Sequence, residues 1–358
     1  MNLIIPMAGS SSRFPGIRPK WMLTHPNGNF MAIAAIQGLN LDDFSRIYFV
    51  YLKAHEDEYK FLKGFKEELS ELGLINKATL IELTEPTKDQ PETVYRAIKM
   101  GKIKGAIFVK DSDNCFSVKY NGENSISYYD LNSAGLIKPK NKSYIMIDHN
   151  NNVNNIIEKQ VISPFFCVGG YGFANADQFC DTLDSLKLEK ERYISNVIYQ
   201  MILQGNSFQA IPVTEYNDWG TLQDWNNYKR SFATLFIDMD GVIVHHSASH
   251  FPPYYGETKA IADNVEILKT LRRTGKFQII ITTARHEKFR DVTIEQLKKL
   301  GLEYDHLLMG MQHCKRIIIN DYSNSNPYKS CDAINLKRNS GELKDILRDS
   351  LGIDYEEI

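Results

Sequence analysis

The sequence predicts a two-domain α/β protein, each domain built on a mainly parallel sheet, from three observations. Its 358 residues match two domains at roughly 150 residues each. Apolar β-rich runs alternate with helical patterns from the first residue, and near residue 231 that alternation starts again.

Strands are expected at 3–7 (LIIPM), 47–52 (IYFVYL), 78–83 (ATLIEL) and 106–110 (AIFVK). Between them EDEYKFLKGFKEELSELG is amphipathic at helical spacing, and PETVYRAIKM places Pro91 in a first helical turn. From about 117 to 172 short strands with Asn- and Gly-containing turns (YNGENS, DHNNNVNN) suggest an antiparallel insertion. The second unit opens on SFATLFIDMDG, a buried strand running into a carboxylate-rich loop. It continues with the helix VEILKTLRRTGK, the strand FQIIITT, the helix VTIEQLKKLG, the strand RIIIN and a last helix near GELKDILRDSLG. The expected domains are 1–231 and 232–358, with no Pro/Gly/Ser linker between them, so the two are expected to touch.

Composition narrows the function. Apolar residues make up 43% and charged residues 24%, which excludes collagen-like, coiled-coil and wholly disordered chains. Lys plus Arg number 42 against 44 acids, a net of −2, so no global field draws the chain to nucleic acid or anionic lipid. No apolar stretch approaches the roughly 18 residues of a membrane span, and MNLIIPMAGS lacks the features of a signal peptide, so a cytoplasmic protein is expected. Five cysteines, none in CxxC spacing, argue for reduced structural thiols rather than a disulfide framework or a zinc site.

The first strand runs into AGSSSRFPG, a small-residue loop in which backbone N–H groups can approach phosphate, with Arg13 and Lys20 as cations; on its own such a loop is equally a simple turn. The strand AIFVK ends in Asp111-Ser112-Asp113-Asn114, which offers hard oxygen ligands suited to Mg²⁺ but, taken alone, reads more readily as a solvated Asp-rich turn. Asp218 stands in NDWGT, at a tight turn before a helix, where it could equally be a helix cap. PMAGSSSRF, PKWML, QPETVYRAI, Asp113-Asn114, Glu158-Lys159, VGGYGF and DWGT occur in one order across almost all of residues 1–230. In that order they resemble the sugar-phosphate nucleotidyltransferases.

The resemblance implies a GT-A-like Rossmann domain that condenses a nucleoside triphosphate with a sugar or polyol phosphate and releases pyrophosphate. It implies that Ala8, Gly9, Ser10, Ser11, Ser12 and Arg13 hold the triphosphate and that Lys20 contacts phosphates. Gln90, Pro91, Glu92 and Thr93 would lie near the base. Asp113 and Asp218 would bind Mg²⁺, and Glu158, Lys159 and Gly170 the sugar phosphate. The chemistry suits these residue types, since two anions must be aligned and charge on the α-phosphorus neutralised, with no covalent protein intermediate. Two positions depart from the family: Ser11 replaces a loop glycine, and Asp89 replaces the glycine before the base-contacting stretch. CTP is favoured, with UTP and dTTP open.

In the second unit the strand ATLFI ends in Asp238-Met239-Asp240-Gly241. One carboxylate there can attack phosphorus while the other handles the leaving-group proton. Together with Thr283 after FQIIIT, Lys315, and Asp321 after RIIIN, this resembles the haloacid dehalogenase phosphatase superfamily across 232–358. The resemblance implies a HAD-like Rossmannoid domain with a minimal cap. In it Asp238 is the nucleophile, Asp240 the acid/base, and Thr283 and Lys315 the phosphate binders; Asp238, Asp240 and Asp321 hold Mg²⁺. The insertion 245–257 (HHSASHFPPYYGE) reads as a polar lid rather than a zinc site; Arg285 and His286 either contact substrate or start the next helix, the helix start being preferred.

The expected protein is thus a bifunctional enzyme, a nucleotidyltransferase fused to a phosphatase, serving one pathway such as capsule or surface polysaccharide precursor synthesis. Two alternatives stay open: a non-catalytic scaffold or dimerisation role for the second unit, or a nucleotide-sensing first unit that regulates a phosphatase. The oligomeric state, homo-oligomer included, is also open.

Overall fold

The computed structural model describes residues 1–9, 14, 16–133, 139–186, 192–321 and 330–351. The chain divides into two compact units, Met1–Trp225 and Asn226–Ile358. Among the described residues no helix is long and apolar enough to cross a membrane, and all five cysteines are free.

In the first unit β1 (Asn2–Pro6), β2 (Arg46–Leu52), β3 (Ala78–Leu83) and β4 (Ile107–Lys110) form a parallel block with β1 between β4 and β2. The helices α1 (Met31–Ala34), α2 (Lys53–Tyr59), α3 (Leu62–Glu71) and α4 (Gln90–Gly101) connect them. The single amphipathic helix expected over 56–73 is two, because Lys60 turns left-handed (φ 50°) and ends α2. Beyond β4 the sheet turns antiparallel. There follow β5 (Asn114–Ser117), β6 (Ser125–Asp130), β7 (Ser143–Ile147), β8 (Val153–Glu158) and β9 (Phe165–Phe173), with β9 running antiparallel to both β4 and β6. The helices α5 (Ala176–Ser185) and α6 (Ile194–Leu203) precede β10 (Gln209–Pro212), which adds parallel to β6.

The sheet order β10-β6-β9-β4-β1-β2-β3 is covered on both faces. Along β1, Leu3 and Ile5 enter one apolar layer and Ile4 the other, as the two-residue period of a strand requires. Off this sheet, β11 (Thr214–Asp218) pairs antiparallel with β5. Then α7 (Leu222–Arg230) spans the division between the units.

The second unit holds a three-stranded parallel sheet of β12 (Ala233–Asp238), β13 (Phe277–Thr282) and β14 (His306–Leu308). Around it lie α8 (Ala262–Arg273), α9 (Arg290–Leu300) and α10 (Leu343–Leu351). The strand expected at RIIIN is absent: residues 316–320 are irregular, with Ile317 and Ile319 74% and 91% exposed. The place beside β13 is filled instead by His306–Leu308, and an apolar run without periodicity could not distinguish a strand from irregular chain.

Candidate active sites

The first unit carries a cleft of about 580 Å³ where its strands end. Pro6 to Gly9 enter from the end of β1, Asp111 to Asn114 from the end of β4, and Asp89, Gln90 and Thr93 from the start of α4. Lys142, Glu158 and Lys159 come from the β7–β8 hairpin region, and Arg192, Tyr193 and Ser195 from the start of α6. Asp218 closes it from the end of β11.

The pairing of β11 with β5 sets Asp218 opposite Asn114, and Trp219 N–H donates to the Asp113 carbonyl at 2.9 Å. Two carboxylates 105 residues apart in sequence therefore reach one wall, each beside a lysine. Lys20 bonds the Asp113 carboxylate. Lys142 Nζ stands 2.5 Å from Asp218 Oδ2 and donates to Tyr216 Oη at 2.8 Å.

Beneath them Lys110 is wholly buried. Its ammonium donates to the Asp111 carbonyl (2.9 Å), the Asn114 carbonyl (2.8 Å) and Asn114 Oδ1. Burial pulls it down to about 8 against the pull of the nearby carboxylates. The Asp111 carboxylate accepts from Gln90 Nε2, and burial, reinforced by Asp113, pushes it above the usual carboxylate range. It lies against Gly169, where φ is +80° and a Cβ would stand 2.2 Å from Asp111 Oδ2.

Asp89 caps α4 by accepting from Glu92 N–H at 2.9 Å, and Arg192 Nε donates to its other oxygen at 2.8 Å. Glu158 accepts from the Ser143 hydroxyl and from Ser195 Oγ, the latter at 2.8 Å. Lys159, with φ 57°, sets Nζ 2.6 Å from Tyr193 Oη.

No protein-family model and no curated protein matches the chain. Solved structures do. The nucleoside-diphosphate-sugar pyrophosphorylase of Vibrio cholerae RC9 is similar at 20% identity and a TM-score of 0.54, over 63% of this chain and 98% of that one. The inositol-1-phosphate CTP transferase of T. maritima is similar at 13% identity and a TM-score of 0.50, over 62% of this chain and 90% of that one. The share covered is the share that Met1–Trp225 makes up. The first unit has a nucleotidyltransferase fold.

In this nucleotidyltransferase-fold unit Ala8, Gly9, Lys20, Gln90, Thr93, Asp113, Glu158, Lys159 and Asp218 all line the cleft. Ser10, Ser11, Ser12 and Arg13 lie outside the described residues. Pro91, Glu92 and Gly170 do not line it. Pro91 is buried in the first turn of α4, and the Glu92 carboxylate is spent on Lys88 N–H at 2.8 Å and on Arg96. Gly170 sits inside β9, where a Cβ would meet Phe116 at 2.6 Å and Ser127 Oγ at 2.8 Å, so its role is close packing. Asp111, expected beside Asp113 as one of the two acids at the strand end, also lines the cleft. Lys110, Lys142 and Arg192 carry no signal in the sequence.

Among the described residues no group of three or more His, Cys, Asp or Glu side chains is placed to hold a metal. The donor set still fits Mg²⁺, which takes one or two carboxylates and completes its shell from water and substrate phosphates rather than from a protein cage. Asp113 and Asp218 are two such carboxylates on one wall.

The second unit has its own pocket, of about 410 Å³, at the ends of β12 and β13. Asp238, Asp240 and Thr283 line it. Burial raises the Asp238 carboxyl above the usual range, opposed by Arg316, whose Nη2 is 3.1 Å from Asp238 Oδ1. Asp240 accepts from Arg285 Nε (2.8 Å), Arg285 Nη2 (2.7 Å) and Ser247 Oγ (2.7 Å). Arg285 therefore does not simply begin a helix: it is fully buried and also donates to Thr293 and Gln296. Lys315 and Asp321 do not line the pocket, because the chain around 316–320 forms no strand to deliver them; Arg316 lines it instead.

Proposed function

We propose that the first unit transfers a nucleotidyl group from a nucleoside triphosphate, CTP by preference, to a sugar or polyol phosphate. The observation that carries this reading is the wall on which Asp113 and Asp218 stand side by side, each beside a lysine, at the strand ends of a nucleotidyltransferase fold. A phosphate oxygen of the sugar phosphate attacks the α-phosphorus, and the bond to pyrophosphate breaks. Lys20 and Lys142 neutralise anionic oxygens, Glu158 and Lys159 hold the acceptor, and Gln90 and Thr93 face the nucleotide. Mg²⁺ held by Asp113 and Asp218 would supply a Lewis acid for the phosphate oxygens. Structures of the same fold include an inositol-1-phosphate CTP transferase, a glucose-1-phosphate thymidylyltransferase and a UDP-glucose pyrophosphorylase at equal TM-scores, so the preference for CTP rests on the sequence resemblance.

For the second unit we propose phosphate monoester hydrolysis, favoured by the placement of Asp238, Asp240 and Thr283 at adjacent strand ends around one pocket. Asp238 attacks phosphorus and the ester oxygen leaves as an alcohol, with Asp240 managing its proton; water then cleaves the aspartyl-phosphate. The two activities divide where the chain does, between Trp225 and Asn226, six residues before the expected boundary, and their fusion suits one cytoplasmic route to an activated capsule or surface polysaccharide precursor. The test is to screen each nucleoside triphosphate against sugar and polyol phosphates, measuring pyrophosphate and phosphate separately. Pyrophosphate from no pair sinks the first reading. Phosphate release that survives Asp238→Asn sinks the second and leaves the scaffold role.

A further inference from the structure

Residues 338–343 are fastened to the loop that carries Asp238 and Asp240, although about a hundred residues separate them. Asn339 N–H donates to the Gly241 carbonyl at 2.8 Å, and His246 N–H donates to Asn339 Oδ1 at 2.8 Å. The wholly buried Asn264 amide bridges Val242 and Ser340, donating to each carbonyl at 2.8 Å. Arg338 is thereby laid across Gly241: its Cγ stands 2.9 Å from where a Cβ would be, so only glycine, here at φ +97°, admits it.

The charges of the pocket give this arginine a role. Of the guanidinium groups lining it, Arg285 is bound to Asp240 and Arg316 to Asp238. Arg338 lines the same pocket and, among the described residues, has no ion-pair or hydrogen-bond partner. A phosphate dianion approaching two carboxylates needs a cation not already committed to them, and a guanidinium fork matches phosphoryl oxygens. Lys315, expected in that role, lies outside the pocket lining.

We propose that Arg338 is a phosphate-binding residue of the second pocket, donating to the non-bridging oxygens of a phosphate monoester seated at Asp238. This rests on the phosphatase reading of that site. Gly241 supplies the close approach, and Asn339 and Asn264 hold the arm in place.

The test uses the full chain in a Lys20→Ala background, which weakens anion binding in the first cleft. Calorimetric titration with inorganic phosphate and hydrolysis of p-nitrophenyl phosphate are compared for Arg338, Arg338→Lys and Arg338→Gln, with melting temperatures measured alongside. Arg338→Gln is expected to weaken phosphate binding and raise KM by about tenfold or more at unchanged melting temperature, with Arg338→Lys in between. Equal binding in all three proteins, a lysine variant no better than the glutamine variant, or no phosphate binding at all overturns the proposal. Arg338-dependent binding without hydrolysis upholds the anion site and removes the phosphatase reading.

Discussion

Arg285 grips Asp240 through two parallel bonds, Nε to Oδ2 at 2.8 Å and Nη2 to Oδ1 at 2.7 Å, with its own side chain fully shielded from water. A carboxylate held this way is fixed in direction as well as in charge. Removing the guanidinium leaves a mostly buried charge without its partner. Arg285→Ala is therefore expected to destabilise the second unit by about 3 kcal/mol, read by denaturant unfolding. Arg285→Lys should recover less than half of this, since an ammonium cannot form the fork.

The pairs Lys20–Asp113 and Lys142–Asp218 stand in the first unit alone. Asp113→Ala or Lys20→Ala should lower pyrophosphate release by roughly a hundredfold or more, the usual loss when one charge-stabilising group is removed. Phosphate release should be unchanged in the same proteins, and Asp238→Asn should do the reverse. A variant that silences both products would contradict two independent sites.

Gly169 has φ +80° and would press a Cβ into the Asp111 carboxylate at 2.2 Å. Gly169→Ala combines backbone strain with a clash against a group already bonded to Gln90. Its expected cost is about 2 kcal/mol or more in stability, with a fall in pyrophosphate release as Gln90 is displaced. Thermal unfolding and the pyrophosphate assay check the two effects separately.

Lys110, pulled down to about 8 by burial, gives a pH signature. Between about pH 8 and the ordinary lysine value near 10.4 the unfolded chain binds a proton that the folded chain does not, so stability attributable to Lys110 rises with pH across that window. Unfolding free energy measured from pH 7.5 to 10 should climb by up to about 3 kcal/mol more in the native chain than in Lys110→Met. Parallel curves for the two proteins would exclude the effect.

Much of the first site could be read in advance because its residues sit where apolar runs stop: Gly9 after LIIPM, Asp113 after AIFVK, Asp218 before a glycine turn. Arg192 and Lys142 carried no such mark. They matter through partners 103 and 76 positions away, Asp89 and Asp218, and only the folded chain brings these together. Lys60 broke an unbroken helical pattern because nothing in YKFL marks a left-handed residue. The Ile317–Ile319 run misled for the opposite reason, since β-branched composition alone promised a strand that did not form. The position of Arg285 after Thr283 suits a helix start, whereas its partner is Asp240, 45 residues earlier.

The short ladder between β11 and β5 makes the first site depend on a late part of the chain. During synthesis, the main parallel strands and the Asp113 loop emerge long before Asp218 does. A chain ending ahead of Thr214 would hold every strand of the main sheet yet lack one of its two wall acids, so the site is completed only once residues 214–218 are present. Fragments cut on either side of residues 214–218 would test that dependence.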